Sequence, residues 1–288
     1  MKIGSADYLS SRLSHEYNVY TELAGSAGVS PVRWYGKEGS YEVIVMDHLG
    51  TSLGDLISGG HVDHGEVFQY APQMVCSRLN KYNLLYSLTH TQLLAVESLH
   101  THHYVHRDIK PANFTVQVDN LQRTVSLIDF GLAQLFRNPA TYLHNPGSTG
   151  HPVVGTLPFT SIAGQRGFAQ SRRDDLESLA YTIIHSARGD LPWTVSANSD
   201  HEAVLQKKML ITTEELCEGL PAPFCEFIDH VRSLGFDQKP DYQLLHSILL
   251  LSATEIDHPS KTLPSLTPPP ANINCAPVSS GRVCVSSV

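Results

Sequence analysis

The sequence predicts an α+β fold in which a small N-terminal part made of strands and one helix precedes a larger, mostly helical part. Two short segments, 32–36 and 41–46, are rich in β-branched and aromatic residues and flank the turn-forming residues 37–40. Later segments carry apolar residues at the spacing of a helix, most clearly over residues 84–99. This change of period along the chain is typical of an α+β protein.

The N-terminal part is predicted to begin with a short strand at residues 1–3 and to continue with a helix over residues 14–23. The apolar positions of that helix are Tyr17, Val19, Tyr20 and Leu23. Gly25 and Gly28 then indicate the end of the helix before the two strands begin.

The larger part begins at residue 50 with a predicted helix at residues 53–57. The long apolar-periodic segment 84–99 is the second predicted helix of this part. Between these two helices, residues 58–75 are polar, contain His and Gly and have no clear period, so we interpret them as an inserted surface loop.

Downstream of residue 131, a segment over residues 132–158 contains several Gly and Pro residues and is expected to be a mobile loop. Ser171 or Asp174 then suits the N-cap of a helix that continues to Ala187. Further helices are predicted at residues 205–209, 224–234 and 242–251. From residue 257 to residue 288 the chain is rich in Pro, Ser and Thr, which predicts a disordered tail.

The strongest functional signal is a pair of short motifs. Residues 106–113 read HRDIKPAN, with Asp108 and Asn113 five positions apart, and Asp129 follows within LIDFG at residues 127–131. Together they fit the H-R-D-x-x-x-x-N and D-F-G pair of protein kinases. Either motif alone is weak, but both in this order indicate phosphoryl transfer. The alternative is a polar loop in which Asp108 only caps a turn.

The residue types in these motifs suit that chemistry. Because phosphoryl transfer needs little covalent participation from the protein, catalysis rests on positioning and on neutralising charge on oxygen. Asp108 is expected to orient a substrate hydroxyl and accept its proton, and Lys110 is expected to reach the transferred phosphate. Asn113 and Asp129 offer hard oxygen ligands suited to Mg²⁺ on the phosphates of ATP.

The composition excludes several other classes of protein. With 288 residues, 41% of them hydrophobic and 17% charged, the chain suits a soluble protein with one large core or two lobes. Its net charge of −8 argues against general binding to nucleic acid or anionic membranes. No apolar run reaches the roughly 18 residues of a membrane span. Five scattered cysteines favour a reducing, intracellular location in the cytoplasm or nucleus.

Several further segments resemble casein kinase 1, most closely QSRRDDLESL at residues 170–179. Other similar segments are RWYG at 33–36, LGTSL at 49–53, LPW at 191–193 and RSLGFDQKPDY at 232–242. The resemblance covers about residues 1–250. It implies a two-lobed protein-kinase-like fold, with a small β lobe at residues 1–49 and a mostly helical large lobe at residues 50–256. It also implies a kinase, expected to be monomeric, that transfers phosphate from ATP to Ser or Thr of protein substrates.

The resemblance also assigns the nucleotide-binding residues. Lys2 would bind the α- and β-phosphates of ATP and would be held by Glu16 of the following helix. The adenine would lie against the hinge from Asp47 to Leu49, with Met46 at the back of that pocket. Without the resemblance, Lys2 would be interpreted as a solvated surface charge.

Further roles follow from the same resemblance. Lys110 marks Ser/Thr kinases rather than Tyr kinases, and Asp175 would be a buried helix residue that braces the backbone of the catalytic loop. Arg172 and Arg173 are the basic residues expected to contact an acidic or phosphorylated substrate. The family's other basic residues are missing, since residues 196–203 contain no Lys or Arg, so we expect weak phosphate binding there.

The family's glycine-rich phosphate-covering loop precedes the strand that carries Lys2, where this sequence has only Met1. We therefore expect an N-terminally truncated kinase with an incomplete small β lobe, without backbone N–H groups to cradle the phosphates. The alternative function is a catalytically impaired kinase-fold binding module or fragment. A third alternative, a metal-dependent hydrolase, would use histidines that are otherwise expected to lie on a solvated helix end and in the catalytic loop: His100, His102, His103 and His106.

Overall fold

The computed structural model describes residues 1–5, 10–58, 78–119, 122–194 and 200–255 of the chain. Its strands are, in chain order, β1 Lys2–Ser5, β2 Val32–Glu38, β3 Tyr41–Met46, β4 Thr51–Ser52, β5 Tyr104–Val105, β6 Phe114–Asp119, β7 Gln122–Leu127 and β8 Gln134–Leu135. Its helices are α1 Ser10–Glu22, α2 Leu53–Ser58, α3 Arg78–Thr101, α4 Ile162–Gln165, α5 Arg172–Arg188, α6 His201–Leu210, α7 Thr213–Leu216, α8 Ala222–Ser233 and α9 Tyr242–Glu255. Single 3₁₀ turns at Pro111–Asn113 and Phe130–Leu132 lie beside the two sequence motifs.

The N-terminal strands form an antiparallel sheet in the order β1–β3–β2. Lys2 lies opposite Ile44 in the register of β1 and β3. Helix α1 packs against this sheet and contributes the buried residues Leu13, Val19 and Tyr20 to the core, and Leu23 directly after the helix is also buried. The sheet and α1 together position the side chains of Lys2 and Glu16 on facing elements.

The helical part is built around α3 and α5. Each helix has an apolar side, and Leu93, Val96, Leu176 and Leu179 are fully buried in the core. Helix α8 covers α5, and α9 packs on both α3 and α8. Among the described residues, no helix has the length and apolarity needed to cross a bilayer.

A hairpin that the sequence analysis did not predict brings the two motifs together. Strands β6 and β7 pair from Phe114–Leu127 at their open end to Asp119–Gln122 at the turn. At the open end the Ile128 N–H donates a hydrogen bond to the Asn113 carbonyl at 3.0 Å. The hairpin therefore brings Asn113 and Asp129 close together in space, although they are sixteen positions apart in the sequence.

Several predicted elements are confirmed with changed ends. Strand β3 has the predicted bounds, whereas α1 begins at Ser10 rather than at residue 14 and α3 spans Arg78–Thr101 rather than 84–99. The added turns are polar, so their sequences carry no apolar period. Ser171 is the N-cap of α5, and its N–H donates to the Asp174 carboxylate at 2.8 Å.

Some predictions concern segments outside the described residues. The proposed inserted loop at residues 58–75 lies outside them apart from Ser58, which ends α2. The predicted tail at residues 257–288 also lies outside them. The boundary predicted between residues 49 and 50 falls between β3 and β4, and it stays a prediction.

A buried lysine joins α6 to the segment that precedes α4. The Lys208 ammonium donates to the carbonyls of Leu157 at 2.8 Å and Thr160 at 2.6 Å, and to the Gln165 side-chain oxygen at 3.1 Å. It also lies 5.4 Å from the centre of the Trp193 ring. Burial lowers the pKa of Lys208 to about 7. The three acceptors and the aromatic face offset the desolvation of this cation.

Replacing Lys208 with Met keeps the aliphatic stem and removes the ammonium. Because the Leu157 and Thr160 carbonyls then lose their donor, Lys208→Met is expected to lower the free energy of unfolding by about 2 kcal/mol. The measurement is urea denaturation at pH 6, where the wild-type lysine is protonated. Lys207→Met, at the adjacent exposed position, is the control and should behave as wild type. Equal stabilities of the two variants would contradict the role of Lys208.

Candidate active site

Hydrogen bonds between residues of the loop 106–113 stabilise its conformation. It follows β5 and ends in the 3₁₀ turn that begins at Pro111. The Asn113 amide nitrogen donates to the Asp108 carbonyl at 2.8 Å and to its carboxylate at 3.2 Å. These bonds fix the Asp108 side chain against the backbone. They also leave the Asn113 side-chain oxygen as the atom that can bind a cation.

The Asp108 carboxylate contacts a cation and a hydroxyl group, and these two groups also contact each other. The Lys110 ammonium is 2.8 Å from Asp108 Oδ2, and the Thr156 hydroxyl donates to Asp108 Oδ1 at 2.8 Å. The Lys110 ammonium also donates to the Thr156 oxygen at 2.7 Å. Asp108 is therefore held in contact with a hydroxyl group, which is the contact that a base toward an alcohol substrate requires.

Thr156 was not predicted as a site residue. It approaches the loop because its neighbour is a glycine: a Cβ on Gly155 would lie 2.5 Å from the Arg107 carbonyl, and its φ of +92° also favours glycine. The only sequence signal was the Gly155–Thr156 pair, which carries no information on where the hydroxyl points.

The side chain of Asp175 binds the backbone of the loop 106–113. Its carboxylate accepts the backbone N–H groups of His106 at 2.6 Å and Arg107 at 2.9 Å. Its Oδ2 is also 3.0 Å from His100 Nε2. Burial alone would raise the pKa of Asp175, but these hydrogen bonds and the nearby histidines hold that pKa below its ordinary value.

The expectation that His100 lies on a solvated helix end is wrong. Its side chain is buried, and its second ring nitrogen is 2.6 Å from the Tyr242 hydroxyl. The expectation followed from the polar sequence around the end of α3, which does not reveal that α9 packs over it. His100 therefore helps to position Asp175 against the loop.

Left-handed backbone conformations occur in both motifs. Arg107 has a φ of 68° and Asp129 a φ of 67°, which non-glycine residues adopt rarely and at a cost of about 1–3 kcal/mol each. Arg107 is held there by the Asp175 contact and by its Nε, which donates to the Leu132 carbonyl at 2.7 Å. Backbone strain thus coincides with the proposed reacting groups.

Lys2 bridges two carboxylates at the boundary between the sheet and the helical part. Its ammonium is 2.6 Å from Glu16 Oε2 and 2.7 Å from Asp129 Oδ1. The Glu16 side chain is only 3% exposed, whereas those of Lys2 and Asp129 are both 44% exposed. The structure therefore brings together these three residues, which are 127 positions apart at the extremes.

The pKa shifts follow from this bridge. Burial raises the pKa of Glu16 above its ordinary value despite the contact with Lys2. Burial alone would raise the pKa of Asp129 as well, but its hydrogen bond from Lys2 lowers that pKa. Burial disfavours the Lys2 ammonium, yet hydrogen bonds to Asp129 and Glu16 raise the pKa of Lys2.

Aromatic contacts anchor the second motif to α1. The Asp129 N–H donates to the Tyr20 hydroxyl at 3.2 Å, and the Phe130 ring meets the Tyr20 ring edge-on with centroids 4.7 Å apart. Phe130 also contacts the His106 ring at 5.4 Å. Tyr20 therefore positions Asp129, although the sequence marked it only as an apolar helix position.

A divalent cation fits the donors at this site. The partly exposed Asp129 carboxylate and the Asn113 side-chain oxygen are the hard ligands that Mg²⁺ prefers, and phosphates and water would supply the rest. Within the described ranges, no group of three or more His, Cys, Asp or Glu could hold a metal by itself. The four histidines of the hydrolase alternative instead contact Asp175, Ser98, Arg137 and Ile128.

The predicted hinge lies at the end of β3. Met46 is half-buried against the core, and Leu49 is half-buried beyond it. The Asp47 carboxylate is bound by the Arg33 guanidinium, with an Nη2–Oδ2 distance of 2.6 Å. The side chain of Asp47 therefore has an exposed partner on β2, and the hinge role expected of this residue would use its backbone.

The structure does not bring Arg172 and Arg173 to the Asp108 loop. Arg172 is buried, donates to the Asp237 carbonyl at 2.8 Å, and lies 4.5 Å from the centre of the Phe136 ring. Arg173 donates to the Leu234 carbonyl at 3.2 Å. Both arginines join the start of α5 to the segment after α8, so their placement argues against direct contact with a substrate at Asp108.

Replacing Asp175 with Asn tests the hydrogen bonds between its carboxylate and the loop backbone. Asn leaves an amide donor facing a loop N–H, so Asp175→Asn is expected to lower the free energy of unfolding at pH 7 by about 3 kcal/mol. The lowered pKa of Asp175 means that its contribution exists above the ordinary value of 3.8 and is lost as the pH falls through the folded value. The difference between wild type and variant should therefore shrink below about pH 4.

Denaturant titrations between pH 3 and pH 8 measure this difference. Asp190→Asn, at an exposed position, is the control and should follow wild type throughout. A difference for Asp175→Asn that is independent of pH would contradict the proposed role of the carboxylate charge.

Comparison with known families bears on the fold. A family model described as protein kinase domain matches residues 12–241, which is most of the chain. The match includes both motifs, Glu16 and Asp175, and it confirms the predicted α+β, kinase-like fold. The chain belongs to the protein kinase family.

Proposed function

We propose that this protein is an ATP- and Mg²⁺-dependent serine/threonine kinase of the casein kinase 1 type. The observation that carries the proposal is the bridge from Lys2 to Glu16 and Asp129. In protein kinases the ion pair between the strand lysine and the helix glutamate must be in place together with the metal-binding aspartate. Here the ammonium lies within 2.7 Å of both carboxylates.

Each residue has a role in the proposed reaction. ATP supplies the phosphoryl group when bound, and Mg²⁺ neutralises charge on its phosphates. Asn113 and Asp129 would hold the metal, and Lys2 would bind phosphate oxygens while Glu16 keeps it oriented. Asp108 would orient the substrate hydroxyl and accept its proton.

Lys110 supports the preference for Ser and Thr. Its ammonium, which contacts both Asp108 and Thr156, is placed to neutralise a phosphate passing to a hydroxyl at Asp108. A substrate hydroxyl at Asp108 would replace the Thr156 hydroxyl as its hydrogen-bond donor or share the carboxylate with it. Thr156 would then act as a positioning residue for both Asp108 and Lys110.

The casein kinase 1 assignment rests on sequence segments such as QSRRDDLESL at residues 170–179. This segment has a physical role in the structure, because it contains the N-cap of α5 and Asp175, whose carboxylate binds the backbone of the loop 106–113. We extend the proposal to a monomeric enzyme that acts on protein substrates inside the cell, in the cytoplasm or nucleus.

Asp108→Asn tests the proposed chemistry. Asn is nearly isosteric but cannot accept the hydroxyl proton, so kcat for phosphate transfer from Mg-ATP to casein should fall by about a thousandfold. Transfer is measured as labelled phosphate in casein, with phosphoamino-acid analysis to identify Ser, Thr or Tyr. Asp190→Asn, with an exposed carboxylate, is the control.

Equal rates for the two variants would contradict the role of Asp108. Phosphotyrosine as the main product would contradict the Ser/Thr preference alone. A wild-type chain that binds Mg-ATP without transferring phosphate would favour a kinase-fold binding module.

A further inference from the structure

A cavity of about 630 Å³ lies in the helical part at a place that the proposed kinase reaction does not use. It is open to solvent on one side and lies between the end of α3 and the start of α9, and its lining includes Glu97, Arg137, Arg172, Lys239, Asp241 and Tyr242. The lining contains none of the residues proposed to bind ATP or Mg²⁺. Its volume is in the range of small-molecule sites.

Three cations and two carboxylates line this cavity. Within the part of the chain that the structure describes, none of Arg137, Arg172 and Lys239 forms an ion pair with a carboxylate. The Arg137 and Arg172 guanidiniums both lie against the Phe136 ring, at 5.4 and 4.5 Å from its centre. Two positive groups are therefore held close together, which is unfavourable unless an anion joins them.

Arg172 provides a second indication of a missing ligand. Its side chain is more than nine-tenths buried, and its Nε has no hydrogen-bond partner. Burial lowers the pKa of Arg172, and the charge of Arg137 lowers it further. A buried guanidinium is costly to charge, and an anion in the cavity would offset this cost through its opposite charge.

The start of α9 adds a third favourable element. Pro240, Asp241 and Tyr242 line the cavity, and α9 is a 14-residue helix whose first N–H groups lie at this end. The two acidic residues of the lining have other partners. Glu97 contacts His246 at 3.0 Å, and Asp241 caps the helix by accepting the Leu244 N–H at 3.0 Å.

We propose that this cavity binds a small phosphate monoester. The three cations outnumber the two carboxylates, and together with a helix N-terminus they favour an anion with several acceptor oxygens, such as a phosphate. The cavity is larger than a phosphate group alone, which leaves room for a short organic body. Arg172, expected from the sequence to contact an anionic substrate, would instead bind an anion at this separate site.

The test is a calorimetric titration of the full chain with β-glycerol phosphate, inorganic phosphate and acetate at constant ionic strength. Wild type is compared with Lys239→Glu and Arg137→Gln. Two control variants are Lys207→Glu, at an exposed position of α6, and Lys2→Met, which weakens phosphate binding at the proposed ATP site only. Lys239 is exposed, so its substitution leaves the fold intact even if Arg137→Gln does not.

The expected result is a loss of affinity for both phosphates of about tenfold or more in Lys239→Glu and Arg137→Gln. Lys207→Glu should bind as wild type does, Lys2→Met should lose only binding at the proposed ATP site, and acetate should bind more weakly than phosphate. Unchanged affinity in Lys239→Glu, or a loss confined to Lys2→Met, would overturn the proposal. A phosphoserine peptide that binds far more tightly than β-glycerol phosphate would overturn the small-ligand assignment.

Discussion

The buried carboxylate of Asp175 holds the backbone of the loop 106–113 in a conformation that the chain would otherwise avoid. Two consecutive N–H groups, of His106 and Arg107, point at this one side chain. Arg107 can therefore keep its left-handed conformation, and Asp108, the next residue, is aimed at Thr156 and Lys110. Since α5 supplies Asp175 and α3 supplies the neighbouring His100, the helical core determines the geometry of the loop.

The second constraint acts between the sheet and this loop. Lys2 connects β1 to α1 through Glu16 and to the second motif through Asp129. Tyr20 of α1 reinforces the connection by accepting the Asp129 N–H. The proposed ATP site consequently depends on contacts between segments up to 127 positions apart in the sequence, while the proposed base Asp108 depends on contacts within the helical part.

The sequence predicted the candidate residues whose placement depends on local order. Asp108 and Asn113 share a loop, and the short motif around Asp129 has few alternative interpretations. It did not identify Thr156, because only the close approach of Gly155 to the loop brings that hydroxyl to Asp108. It also misjudged His100, whose burial depends on Tyr242, 142 positions away. The sequence also did not reveal what the Arg172 side chain contacts. Its segment was recognised, but the partners of its guanidinium depend on tertiary packing.

The central claim is that Lys2, Glu16 and Asp129 form a nucleotide site that works together with Asp108. Thermal denaturation of wild type and Lys2→Met with rising Mg-ATP tests it most directly, because a ligand that binds only the folded state raises the midpoint in a saturable way. The account predicts such a rise for wild type and a shift to at least about tenfold higher Mg-ATP for Lys2→Met. A wild-type midpoint that does not respond to Mg-ATP, or the same response in both proteins, would contradict it.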